Sequence, residues 1–131
     1  MKKILFLLCF LSIFQLSCAS RVVCKKDHVK NTIYSSKESV AAKLSSEESN
    51  KVARLLFEAP WCGACKRLEI LMGQADVTKG VLRLNIDETW AFIFSKRFGI
   101  SSVPALVELR KDSPPIIIMG ADKIVMHLLI K

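Results

Sequence analysis

The sequence predicts an α/β domain with a mixed central β-sheet flanked by helices on both faces. Three observations carry this prediction. From residue 36 onward, apolar runs of strand length alternate with amphipathic stretches of helical spacing. The last two strand candidates are instead joined by a short turn, residues 110–115, that contains Pro114 and Pro115. A closely spaced cysteine pair, Cys62-Gly63-Ala64-Cys65, stands where a strand gives way to a helix.

The chain begins with a segment that does not belong to the domain. Lys2 and Lys3 precede an apolar run from Ile4 to Leu16, and small residues follow at Ser17, Ala19 and Ser20. That is the three-part pattern of a secretory signal, and the run is short for a membrane span. The expected division is a signal peptide over 1–19, a polar tether over 20–35 and a domain over 36–131. Lipidation at Cys18 is the rival exit, with a lipoprotein signal over 1–17. Export follows either way, to the periplasm or to an envelope membrane. The formal charge of +8 falls to +6 without Lys2 and Lys3, and no basic cluster is interleaved with aromatics. Nucleic acid is therefore not an expected partner, and the membrane is one only if Cys18 is lipidated.

Within the domain the elements follow in order. Thr32-Ile33-Tyr34 reads as a short strand closing the tether. Ser36 suits a helix N-cap before Val40, Ala41 and Leu44. Val52 to Phe57 is a buried central strand, and the Cys62 helix packs Leu68, Leu71 and Met72 on the sheet before ending near Gly73. Val81 to Ile86 alternates as a strand. A helix with a stripe of Trp90, Ile93, Phe94 and Phe98 follows and is closed by Gly99. Ala105 to Leu109 and Ile116 to Met119 are the last strands, and Gly120 opens a C-terminal helix. Helices between strands imply parallel pairing, and the final turn implies an antiparallel hairpin.

Of five cysteines, Cys9 lies in the signal segment and the exported chain keeps Cys24, Cys62 and Cys65, with Cys18 if lipidated, too few for a disulfide scaffold, so the fold rests on its core. If a helix starts near Cys62, the i,i+3 spacing puts both sulfurs on one face, within bonding reach. The first sulfur then meets free amide N–H groups and the positive end of the helix dipole, which favour thiolate. A competing set, Cys24 and His28 with Cys62 and Cys65, has the composition of a zinc site but loose spacing.

These residues resemble the thioredoxin superfamily. Phe57-x-Ala59-Pro60-Trp61-Cys62-Gly63-x-Cys65-Lys66 is similar to the active-site segment of protein disulfide isomerase domains. Leu84-Asn85-Ile86-Asp87, Phe98-Gly99-Ile100-x-Ser102-Val103-Pro104 and Met119-Gly120-Ala121 resemble later thioredoxin segments in the same order. The resemblance implies a thioredoxin fold and an oxidoreductase or disulfide isomerase with Cys62 as nucleophile and Cys65 as resolving thiol, joined in a redox-active disulfide. It implies no cofactor, client proteins bearing disulfides or dithiols, and a separate redox partner protein. Pro104 would be the family's cis-proline. Trp61, Gly63, Ala64, Val103 and Pro104 would contact the client.

Departures from the pattern matter as much. Leu56 stands where the family often buries a proton-relaying carboxylate. Glu58, two residues along the same strand face, and Glu69, four residues after Cys65, are the substitute candidates. The bland alternatives are a solvated strand-end carboxylate and a surface helix partner. Ala64 brings no charge to Cys62, which leans the pair toward reduction or isomerisation over disulfide formation. A partner-binding role on the same fold would draw on Phe92, Met126 and Ile130, which fall off their helices' apolar stripes.

Overall fold

The computed structural model describes residues 33–46 and 52–130. The signal segment with Cys18 and the tether through Thr32, with Cys24 and His28, lie outside the described residues. Helix α1 spans Lys37–Ser45, strand β1 Ala53–Glu58, helix α2 Gly63–Gln74, strand β2 Val81–Asn85 and helix α3 Thr89–Arg97. Strands β3 (Ala105–Leu109) and β4 (Ile116–Met119) and helix α4 (Ala121–Leu129) complete the order. Ser36 caps α1 as expected, accepting the Ser39 N–H.

The four strands are ordered β2-β1-β3-β4, so β1 is internal. β1 and β2 run parallel, with Leu56 opposite Arg83 and Glu58 opposite Asn85. β3 is antiparallel to both β1 and β4. This corrects the expectation that every helical crossover joins parallel strands. The chain leaves β2 at one side of β1 and, through α3 and residues 98–104, re-enters on the other side in the opposite sense.

Strand alternation sorts the core into two layers. Leu55 and Phe57 face α1 and α3 with Leu84, Ala105 and Val107. Leu56 and Leu106 face α2 and α4, where Leu68, Met72, Ile124 and Leu128 cover them. Burying one such side chain is worth about 1.5–3 kcal/mol. Phe57, Phe94 and Phe98 form an edge-on aromatic cluster with ring centroids 5.1–6.3 Å apart.

Two further expectations are corrected. Ile33 and Tyr34 are not strand; among the described residues before α1, the Ser35 N–H reaches the sheet, donating to the Arg83 carbonyl at 2.7 Å. Ile93 is not on the buried stripe of α3 but 53% exposed, and the small residues Ala91 and Ser95 are buried instead. Ile93 lines a groove of about 330 Å³ between α1 and α3, with Val40, Leu44, Trp90 and Phe94. Gly99 ends α3 at φ +67° and Gly120 precedes α4 at φ +98°, conformations that side chains with a Cβ disfavour.

Candidate active site

The site is built at the end of β1. Central strand residues Leu55 to Phe57 are locked in the core, so the chain leaves the sheet at a fixed point. Residues 59–62 turn tightly there, with the Cys62 N–H donating to the Ala59 carbonyl at 3.1 Å. Cys62 is the N-cap of α2, and its sulfur does what a serine oxygen does at other helix starts. It accepts the Cys65 N–H at 3.1 Å. Cys62 and Cys65 are bonded to each other, with Cα atoms 5.2 Å apart. Both are buried and pack with Ala59, Ile86 and Val103.

Around the pair, Gly63 and Ala64 are exposed, and Trp61 is 66% exposed with its indole N–H held by Asp87 at 2.9 Å. Across from them runs the segment before β3. The Val103–Pro104 peptide bond is cis, and the Val103 carbonyl oxygen lies 3.6 Å from the Cys62 sulfur. In the disulfide that sulfur has no proton to give, so this is a contact; a reduced thiol would find an acceptor there. The structure thus gathers Trp61, Cys62, Cys65 and Val103 around one disulfide.

Glu58 is not the solvated strand-end carboxylate of the bland reading. It is 1% exposed, on the α2 side of the sheet, and is clasped by Arg83 through Nε at 2.7 Å and Nη2 at 3.0 Å. Arg83 also donates to Glu69 at 3.2 Å, so one guanidinium joins both candidate acids. Burial pushes the Glu58 carboxyl above its ordinary range; Arg83 pulls the other way without cancelling this, and Glu69 adds to the rise. Tyr34 sits in the same field and is raised too, first by burial and then by Glu58.

Arg83 is the residue that sequence reasoning missed. Its signal was present: it alternates with Leu82 and Leu84, which places it inward on the other face of a sheet covered on both sides. An inward arginine needs an inward carboxylate, and Glu58 is on the same face of the next strand.

Cys62 and Cys65 are bonded to each other here, and Cys24 and His28, the other half of the zinc alternative, lie outside the described residues. Among the described residues no group of histidine, cysteine and acidic side chains is arranged to hold a metal ion. Phe92, Met126 and Ile130 are exposed, with Lys96 5.0 Å from the Phe92 ring centre.

A cysteine pair that caps the helix after an internal strand, facing a loop that ends in a cis-proline, is the arrangement of a thioredoxin-type domain. The chain belongs to the thioredoxin family, whose model matches residues 31–128. It is 34% identical over 75 residues to human protein disulfide-isomerase A6, covering 53% of this chain and 17% of that protein. It is 30% identical over 70 residues to the thioredoxin of Bacillus subtilis, covering 50% of this chain and 65% of that one. The chain therefore spans less than two thirds of either relative. Among solved structures, the germline-specific thioredoxin Deadhead of Drosophila melanogaster aligns with a TM-score of 0.58 at 22% identity. That alignment covers 76% of this chain and 95% of the fly protein, and it supports the fold.

Proposed function

We propose that the protein is an exported thiol–disulfide oxidoreductase that reduces or isomerises disulfides of envelope proteins through Cys62 and Cys65. The observation that carries this reading is the helix-capping sulfur: the Cys65 N–H points at Cys62 Sγ from 3.1 Å. That donor and the α2 dipole favour negative charge on Cys62 and make it the attacking sulfur.

The Cys62 thiolate attacks a client disulfide, forming a Cys62–client bond and releasing the client's other sulfur as thiolate. Cys65 loses its proton and attacks Cys62 Sγ, breaking the bond to the client and closing the Cys62–Cys65 disulfide. A separate redox partner restores the dithiol. Trp61, Gly63, Ala64, Val103 and Pro104 line the surface on which the client chain lies. Glu58 is the proton acceptor for Cys65, which its burial beside the cysteine helix supports; Glu69 is the second acid of that cluster. Ala64 adds no charge to stabilise the Cys62 thiolate further, which favours reduction or isomerisation. The basic start, apolar run and small residues of the first 20 residues support export, with Cys18 as the lipid site if the protein is anchored.

The test is the equilibrium potential of the Cys62–Cys65 couple against glutathione, measured together with insulin reduction and refolding of a scrambled disulfide protein. A reducing couple active in either assay supports the reading. A pair that does not exchange with thiols overturns it. An oxidising couple that introduces disulfides without reducing insulin assigns the opposite direction.

A further inference from the structure

Met72, Met119 and Met126 stand in very different surroundings. Met72 is buried beneath α2, Met119 ends β4 with 43% of its surface exposed, and Met126 on α4 is 58% exposed. A thioether in contact with water is open to two-electron oxidants, whereas one in the core is shielded. Met119 and Met126 are both reachable, and Met119 is the one beside the cis-proline loop.

The sheet puts it there. β4 is an outer strand, and Met119 stands opposite Ala105, the residue after the cis-proline. Opposed residues share a face of the sheet, and the small Ala105 leaves room for the long thioether. The Ser102 hydroxyl donates to the Met119 sulfur at 3.8 Å, and the Gly120 N–H donates to the Pro104 carbonyl at 3.1 Å. Residues 102–104 are thus bonded to the end of β4 at two points. Between those points the Val103 carbonyl lies 3.6 Å from Cys62 Sγ. Met126 belongs to the helix whose Ile124 and Leu128 cover the opposite face, with Leu56 and Leu106.

We propose that Met119 is an oxidation site bordering the client surface, and that its conversion to the sulfoxide weakens docking of protein clients while leaving the exchange chemistry of Cys62 and Cys65 intact. The inference rests on the reading of Val103 and Pro104 as client contacts. The oxidant is a peroxide, and the step balances with it. The thioether sulfur attacks a peroxide oxygen, the O–O bond breaks, and the sulfur is oxidised by two electrons as it gains that oxygen. Hydrogen peroxide leaves as water. In the disulfide form Cys62 and Cys65 present no thiolate to the same oxidant.

The product is a polar group where an apolar one stood. The Ser102 hydroxyl, which has a weak acceptor in the sulfur, gains a strong one in the sulfoxide oxygen. An apolar client side chain pressed onto this rim must then strip water from a polar group, which disfavours docking and not sulfur exchange. A small aryl disulfide reaches Cys62 without covering the rim and does not meet that penalty.

The experiment treats the disulfide form with hydrogen peroxide, removes the oxidant and locates the added oxygen by peptide mass. Reduction of insulin and of the aryl disulfide dithiobis-nitrobenzoate is then measured, each protein against its own untreated sample. Oxygen is expected on Met119 and Met126. The kcat/KM for insulin should fall about fivefold or more, with that for the aryl disulfide unchanged. Met119→Leu, which has no sulfur to oxidise, should keep its own insulin rate through the treatment. Met126→Leu should lose activity as the unaltered protein does, and methionine sulfoxide reductase should restore it. The inference is overturned if Met119 stays unoxidised while Met126 reacts, if its oxidation leaves the insulin rate unchanged, or if Met119→Leu loses as much. Equal losses with both substrates also refute it, because they place the damage at the cysteines. An untreated protein that exchanges with neither substrate overturns the functional reading itself. An active one that ignores Met119 oxidation overturns this inference alone.

Discussion

Replacing Arg83 by methionine is expected to destabilise the protein in a strongly pH-dependent way, while Glu58→Gln is not. The difference follows from which partner is left behind. Arg83→Met leaves a 1%-exposed carboxylate with no cation, and stranding a buried charge costs about 3–5 kcal/mol. Glu58→Gln leaves a guanidinium that is 21% exposed and still bonded to Glu69, so the loss is about 1–2 kcal/mol, the scale of its hydrogen bonds. The sign with pH is fixed by the raised Glu58 carboxyl. A group whose folded pKa lies above its unfolded value binds more protons when folded. Its stabilising contribution is complete below the unfolded value and is lost as pH rises through the folded one. Removing Arg83 raises the folded value further and widens that window upward. At about pH 4 the penalty of Arg83→Met should shrink toward about 1–2 kcal/mol, and at about pH 8 it should be larger. Urea unfolding at both pH values measures this, with the double variant as control, since Glu58→Gln should rescue Arg83→Met at pH 8. A domain of this size has roughly 5–15 kcal/mol in hand, so each variant is measurable. Equal penalties at the two pH values, or no rescue in the double variant, would refute the reasoning.

Three other outcomes are expected. Cys65→Ser should accumulate a stable mixed disulfide between Cys62 and client, visible by non-reducing electrophoresis, whereas Cys62→Ser should form none. Leu68→Ala, at a fully buried position under α2, should cost about 3–5 kcal/mol in chemical denaturation. Glu108 is fully buried on β3 and bonded to Arg54, Arg110 and His127. Its replacement by glutamine leaves only partly exposed cations behind and should cost about 1–2 kcal/mol; it should leave the Cys62–Cys65 potential unchanged, because it is three residues along β3 from the site end of the strand, about 10 Å away.

Much of the site was legible because it is local. Cys62, Cys65 and Trp61 follow one strand without interruption, and a helix start near Cys62 places the sulfurs by itself. The helix cap and the internal position of β1 were likewise readable from one stretch of chain. What escaped depends on pairing across the sheet. Glu58 at a strand end reads as solvated until β2 brings Arg83 onto the same face. The reversed direction of β3 depends on the path of residues 98–104 and has no signature in strand or helix periodicity. The α3 stripe was misread at Ile93 because bulk dominates a periodicity estimate, while the buried positions of that helix are held by small residues, Ala91 and Ser95.

Among the described residues before α1, Ser35 bonds the sheet, its N–H donating to the Arg83 carbonyl. Arg83 therefore carries two loads: its backbone holds that segment, and its side chain holds the acids under the cysteine helix. Tension on the chain ahead of Ser35, such as a surface attachment would apply, enters the sheet at the residue whose guanidinium reaches Glu58.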